Sequence, residues 1–235
     1  MMRLDKLLSD LAVASRKELK QMIRAGRVSV NGTSAVRSDE KVDPEKDAVC
    51  LDGQLLTYRK YRTFAMDKPV GVLTAARDRK QPTVLDLLPD EYKGLGLFPV
   101  GRLDKDTSGL LLLTNDGDFA HRVIAPRYEV EKTYLARTEK AVTPEDQKAF
   151  AGGLTLHDGL RCLPAVLTPL EDGRCLVTVR EGKYHQVRRM LASVGKPVVE
   201  LRRLSVGGLK LEDLSFRDGL CELSPEQCSS VLDGR

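Results

Sequence analysis

No apolar run in this 235-residue chain is long enough to cross a membrane, so no membrane-spanning helix is expected. The first residues, Met-Met-Arg-Leu-Asp-Lys, mix an acid with alternating charges and do not read as a secretory signal. Cysteine is sparse: Cys50, Cys162, Cys175, Cys221 and Cys228 stand apart, without the close ligand pairs of a zinc site. An odd, dispersed set of this kind reads as reduced thiols in a cytoplasmic protein. The chain has no Gly-Lys-Ser/Thr phosphate loop, which excludes a P-loop nucleotidase. It has no internal repeat or low-complexity tract, and no obvious oligomerisation segment, so a monomer is expected.

What is present fits one large or two modest soluble domains: 41% hydrophobic and 31% charged residues. The net charge is only +4, but its distribution is uneven. Residues 1–30 carry Arg3, Lys6, Arg16, Lys17, Lys20, Arg24 and Arg27 against Asp5, Asp10 and Glu18, an excess equal to that of the whole chain. A second basic zone spans residues 180–206, and the last two dozen residues are acidic. Two separated basic zones suit a partner long enough to touch both, such as RNA.

Leu4, Leu7, Leu8 and Leu11 recur at helical spacing, and Ser15 with Glu18 forms a capping box that opens a second helix. Leu19, Met22 and Ile23 are its buried stripe, Gly26 suits its left-handed end, and Arg16, Lys17, Lys20 and Arg24 fall on its polar side. Asn31-Gly32 then predicts a hairpin turn. Residues 1–60 thus read as a small domain of two helices and a short sheet, with a linker near residues 58–62. Beyond it, strands are expected at 63–66, 110–114, 133–137, 165–169, 175–180 and 198–204. Helices are expected at 84–88, 144–152 and 186–194, with a short one from Ser224-Pro225-Glu226. Strands and helices mix without regular βαβ spacing, which predicts an α+β domain over 61–235 with a largely antiparallel sheet.

Residues 101–117, Gly-Arg-Leu-Asp-Lys-Asp-Thr-Ser-Gly-Leu-Leu-Leu-Leu-Thr-Asn-Asp-Gly, are the most informative run. Four leucines demand burial, so the charged loop before them sits at the mouth of a core and Asp104 is held by its neighbours. Asp104 and Asp106 are too close in sequence to straddle a sugar as a glycosidase pair. Three further segments accompany this loop: the turn Asp67-Lys68-Pro69-Val70-Gly71, the strand-like Glu131-Lys132-Thr133-Tyr134, and Gly182-Lys183-Tyr184-His185-Gln186-Val187-Arg188-Arg189-Met190. Tyr134 suits either a core position or stacking on a base. His185 invites a general-base reading, but no Cys or Ser partner lies near it in sequence. The basic helix face suits either plain solvation or phosphate contact.

The first sixty residues resemble an S4 domain, the small RNA-binding module of ribosomal protein S4 and of many RNA-modifying enzymes. With the S4 module included, Gly-Arg-Leu-Asp-x-x-Thr-Ser-Gly-Leu and Tyr-His-Gln-Val-Arg-Arg-Met resemble the RsuA-type pseudouridine synthases along nearly the whole chain. The resemblance implies isomerisation of a ribosomal RNA uridine to its C-glycoside, without cofactor or metal. It implies that Asp104 is the essential carboxylate, that Tyr134 packs on the target base, and that Arg188 pairs with Asp104. Arg102 would hold the rearranged RNA. Lys68, Arg3, Lys6, Arg16, Lys17, Lys20, Arg24 and Arg189 complete the expected RNA-binding set. Within the family the segments look most like the small-subunit branch, which acts on uridine 516 of 16S rRNA. A 23S target, or a non-catalytic S4-type assembly factor, is the alternative. Asp67 stands where the family more often has Asn, and Leu163 where Lys often precedes Pro-Ala. Direct attack of Asp104 on C1′ and elimination through a glycal remain open, with the glycal route preferred.

Overall fold

The computed structural model describes residues 1–11 and 13–233, with the backbone alone at Arg16. The chain divides into two compact units, Met1–Arg62 with Leu88–Leu97, and Thr63–Leu87 with Phe98–Arg235.

The first unit begins with β1 (Met2–Arg3), α1 (Leu4–Asp10) and α2 (Arg16–Arg24). The capping box forms: Glu18 N–H donates to Ser15 Oγ, and Glu18 Oε2 accepts from the Ser15 N–H at 2.9 Å. Gly26 ends the helix with φ +70°. Strands β2 (Val28–Val30), β3 (Thr33–Ser34), β4 (Lys41–Val42), β5 (Val49–Leu51) and β6 (Gln54–Leu55) follow. The β2–β3 hairpin turns through Asn31 and Gly32, both at positive φ. Leu4, Leu7, Leu8, Leu19, Ile23 and Val28 share one buried core. The short α3 (Asp90–Lys93) belongs to this unit. The helix expected at residues 84–88 is absent: those residues form turns. Asp86 accepts from both the N–H and the hydroxyl of Thr83, closing a tight turn, and Pro89 ends the stretch before a helix can extend.

The second unit is built on β7 (Thr63–Lys68), β8 (Phe98–Val100), β9 (Thr107–Thr114), β10 (Lys132–Thr138), β11 (Val166–Pro169), β12 (Arg174–Val179), β13 (Val198–Val206), β14 (Leu209–Lys210) and β15 (Leu220–Glu222). These form one sheet in the order β11-β12-β10-β13-β9-β7-β15, with β8 beside β9 and β14 beside β13. All pairings are antiparallel except β13 with β9, so the domain is α+β with a mixed, largely antiparallel sheet. Leu110, Leu111, Leu112 and Leu113 are at most 1% exposed, as a central strand covered on both faces requires. Each contributes about 2 kcal/mol of burial.

Helix α4 (Gly117–Ile124) follows β9, where the sequence reading placed no helix. Its signal lies in Asp116, whose carboxylate accepts from the N–H groups of Asp118 and Phe119. Helices α5 (Pro144–Gly152), α6 (Gln186–Ser193) and α7 (Pro225–Asp233) complete the unit. One core packs α5 and α6 on β10 and β12; a second packs α4 and α7 around β9.

Candidate active site

The loop between β8 and β9 carries Asp104, and it is pinned from several sides. Lys68, at the end of β7, is fully buried, and its Nζ donates to the carbonyls of Pro69 (2.9 Å), Asp104 (3.1 Å) and Thr107 (2.9 Å). The Thr74 hydroxyl donates to Leu103 O at 2.7 Å, and Gly71 N–H to Lys105 O at 2.7 Å. Lys68, expected among the RNA contacts, therefore has no surface to offer: its ammonium is spent on three backbone carbonyls around this loop. Burial pulls its pKa down, against the opposing pull of the Asp104 and Asp106 carboxylates.

Asp104 keeps 28% of its side chain exposed, and Oδ1 lies 3.3 Å from Nε2 of His185. His185 is the N-cap of α6 and adopts φ +48°, an unusual backbone for a non-glycine residue. Its ring stacks on Tyr184 at 3.8 Å, and Tyr184 is exposed. The turn that presents this pair is braced by buried Glu181, which accepts from Gln186 Nε2 at 2.6 Å and from Leu163 N–H at 2.9 Å.

Arg188 does not pair with Asp104 as the resemblance implied. Its Nη2 lies 2.9 Å from Oδ2 of Asp106 and donates to Asp106 O at 3.1 Å. The reason is local: His185 already engages Asp104, while Asp106 offers both a carboxylate and a carbonyl to the first turn of α6. Arg188 Nε is buried without a partner among the described residues, and Arg188 still shares a cavity of about 70 Å³ with Asp104 and Tyr134.

Tyr134 sits in the middle of β10, beside a register shift in its pairing with β13. With Asp104 and exposed Arg102 it lines a cavity of about 360 Å³, within the usual size range of ligand sites. The sequence reading passed over two other residues of this cavity. Arg203, on β13, is 5% exposed and donates from Nε to Leu110 O at 2.7 Å. Lys132, on β10, donates from Nζ to Val130 O (2.6 Å) and Val123 O (3.1 Å). Burial, reinforced by the like charge of Arg203, brings the Lys132 pKa down to about 8. A larger cavity of about 630 Å³ is lined by Asp67, Thr133 and Arg202, the strand neighbours of Lys68, Tyr134 and Arg203. Alternation puts it on the opposite face of the sheet, away from Asp104. There Asp67, the departure from the family pattern, pairs with Arg202 at 2.6 Å.

In the first unit, Lys17, Lys20 and Arg24 are exposed and pair with no carboxylate among the described residues. Arg3 and Lys6 are exposed but paired with Asp5 and Asp10. The Arg16 side chain lies outside the described residues. Arg189, in the second unit, pairs with Asp158. Among the described residues no group of three or more His, Cys, Asp and Glu side chains is arranged to hold a metal ion, and no helix is long and apolar enough to cross a membrane.

Residues 62–193 match the RNA pseudouridylate synthase family, and residues 2–49 match the S4 domain. An uncharacterized RNA pseudouridine synthase of Bacillus subtilis, YtzG, is 41% identical over 96% of both chains. Ribosomal small subunit pseudouridine synthase A of Escherichia coli is 41% identical over 98% of this chain and 100% of its own. A crystal structure of a pseudouridylate synthase superimposes with a TM-score of 0.67 at 31% identity, covering 98% of this chain and 100% of that one. With a pinned aspartate and a tyrosine lining one ligand-sized cavity, and with relatives alike from end to end, the chain belongs to the RNA pseudouridylate synthases that carry an S4 domain.

Proposed function

We propose that this protein converts a uridine of small-subunit ribosomal RNA, uridine 516 of the 16S molecule, to pseudouridine. It acts as a cytoplasmic monomer and needs no cofactor. The observation that carries the reading is that Asp104 and Tyr134 line one cavity large enough for a nucleobase. The small-subunit target rests on the names of the relatives that match along their full length.

A base within folded RNA cannot be detached and turned in place, so the target nucleotide is flipped out, at a cost of a few kcal/mol of unstacking. Phosphate contacts from Lys17, Lys20 and Arg24, together with Arg16, offset that cost through counterion release. Arg102, exposed at the cavity mouth, fills the space the base leaves. Tyr134 stacks on the uracil and keeps it beside the ribose while the glycosidic bond is broken and remade. Asp104 acts on the ribose, with its backbone immobilised by Lys68. Arg188, with one buried donor unused, is the guanidinium available to the carboxylate once RNA displaces Asp106.

The test is pseudouridine mapping of ribosomal RNA, by carbodiimide labelling and reverse-transcriptase stops, because the isomerisation leaves mass unchanged. Cells lacking the protein should lose the stop at position 516, and the Asp104→Asn variant should not restore it. Loss of a stop in 23S rRNA instead would overturn the target. A fully active Asp104→Asn enzyme would overturn the mechanism.

A further inference from the structure

We propose that Arg203 and Lys132 form a cationic floor that holds the uracil anion released when the glycosidic bond breaks. The inference rests on the isomerisation reading above and adds a site to it. Both side chains line the cavity of Asp104 and Tyr134. Lys132 precedes Tyr134 by two residues, on the same face of β10, and Arg203 is the register partner of Tyr134 on β13. Beside them lie Leu112, Val123 and Val206, each at most 3% exposed, so this is the deep end of the cavity.

The pair lacks an anion. Arg203 is 95% withdrawn from solvent by its 5% exposure, yet no carboxylate ion-pairs with it among the described residues. Among the described residues, the charged group acting on Lys132 is Arg203, of like sign. The acids lining this cavity are engaged elsewhere: Asp104 with His185, and Glu181 with Lys183 and Gln186. A buried guanidinium beside a half-buried ammonium, without a counter-charge, is costly to the fold and persists where a ligand supplies the charge.

The reaction supplies it. When N1–C1′ breaks, the electron pair leaves with N1 and spreads over O2 and O4 of the uracil. The ribose is satisfied either by the Asp104 carboxylate bonding at C1′ or by loss of its C2′ proton to Asp104. C5 then bonds to C1′ as the Asp104–C1′ bond breaks, or as C2′ takes its proton back from Asp104; the C5 proton departs, N1 takes up a proton, and the isomer is complete. The base, unlike the phosphates, is the part of a flipped nucleotide that reaches the deep end. Fixed cations in a water-poor cavity stabilise charge that develops there far more than charge present before the reaction.

The test is single-turnover conversion of a 16S rRNA fragment carrying either uridine or 5-fluorouridine at the target. The fluorinated base is more acidic and leaves with less help. Arg203→Gln and Lys132→Gln should each slow loss of the N-glycoside of uridine by about 100-fold, and that of 5-fluorouridine within about tenfold. RNA affinity and its salt dependence should be unchanged, and Lys132→Arg should recover most of the rate. Equal slowing of both substrates would overturn the proposal. So would weaker binding with a shallower salt slope and a normal rate at saturating RNA, which would mark a phosphate site. Lys132→Gln, at a partly exposed position, decides the matter if Arg203→Gln melts early. A wild-type protein that converts no uridine would sink the isomerase reading itself, a result distinct from any of these.

Discussion

Nε2 of His185 lies 3.3 Å from Oδ1 of Asp104, held there by a left-handed N-cap and a stacked Tyr184. A side chain in such a backbone well costs about 1–2 kcal/mol unless it is Gly, Asn or Asp. His185→Asn keeps the backbone and removes the imidazole. It should hold or raise the melting temperature while lowering kcat about tenfold, with RNA affinity unchanged. Unaltered turnover would reduce His185 to a structural N-cap.

Arg188 reaches Asp106 in the free protein, and Asp106 is 68% exposed. An exposed pair of this kind contributes about 0–1 kcal/mol. Asp106→Asn should therefore leave melting and turnover within about threefold of the parent. Under the proposed mechanism, in which the guanidinium serves the carboxylate during the reaction, Arg188→Ala should lose at least about 100-fold in kcat. Similar losses in both variants would show that the Asp106 pair itself matters.

Lys68→Met separates a clamp from an RNA contact. Three carbonyls lose the ammonium that ties them together, so the Asp104 loop loosens and kcat should fall at least about 100-fold. Phosphate contacts are untouched, so filter-binding affinity and the slope of log affinity against log salt should match the parent. A slope shallower by about one unit would restore Lys68 to the RNA surface.

Gly109 has φ +100°, and a Cβ there would fall within 2.2 Å of Arg203 O. The parallel pairing of β9 with β13 leaves no room for a side chain. Gly109→Ala should destabilise the protein by about 3 kcal/mol or more, read by urea unfolding. Because Arg203 would move, the surviving folded fraction should also turn over more slowly.

The features legible in the sequence were those with local causes. The Ser15–Glu18 capping box, the Asn31-Gly32 hairpin and the buried strand of leucines each follow from residues a few positions apart. The expected helix at 84–88 failed for an equally local reason: Thr83, Asp86 and Pro89 form a stronger turn signal than the apolar spacing. The cationic pair was not legible. Lys132 and Arg203 meet only because β10, β13 and β9 are adjacent, and neither stands out in its own segment. The partner of Arg188 was hidden likewise, since two acids two residues apart compete for it and backbone geometry decides.

One proton on Lys132 should report in two directions. Its pKa is about 8 in the folded protein and 10.5 as the ordinary value. Below pH 8 both states hold the proton, and the buried charge costs the fold about 3 kcal/mol. Between pH 8 and 10.5 the unfolded chain binds more proton, so this group's contribution makes the protein more stable as pH rises. The charge serving the uracil anion is lost over the same window, so kcat should fall as stability climbs. The other ionisable groups lining the cavity are Arg102, Asp104, Glu181, Lys183, Tyr134, His185 and Arg203, together with exposed Tyr184. Comparing the parent with Lys132→Gln at each pH subtracts them. The difference in unfolding free energy should grow in favour of the parent from pH 8 upward, and the rate advantage of the parent should shrink. Parallel stability curves with parallel rates would mean that Lys132 does not titrate in this range.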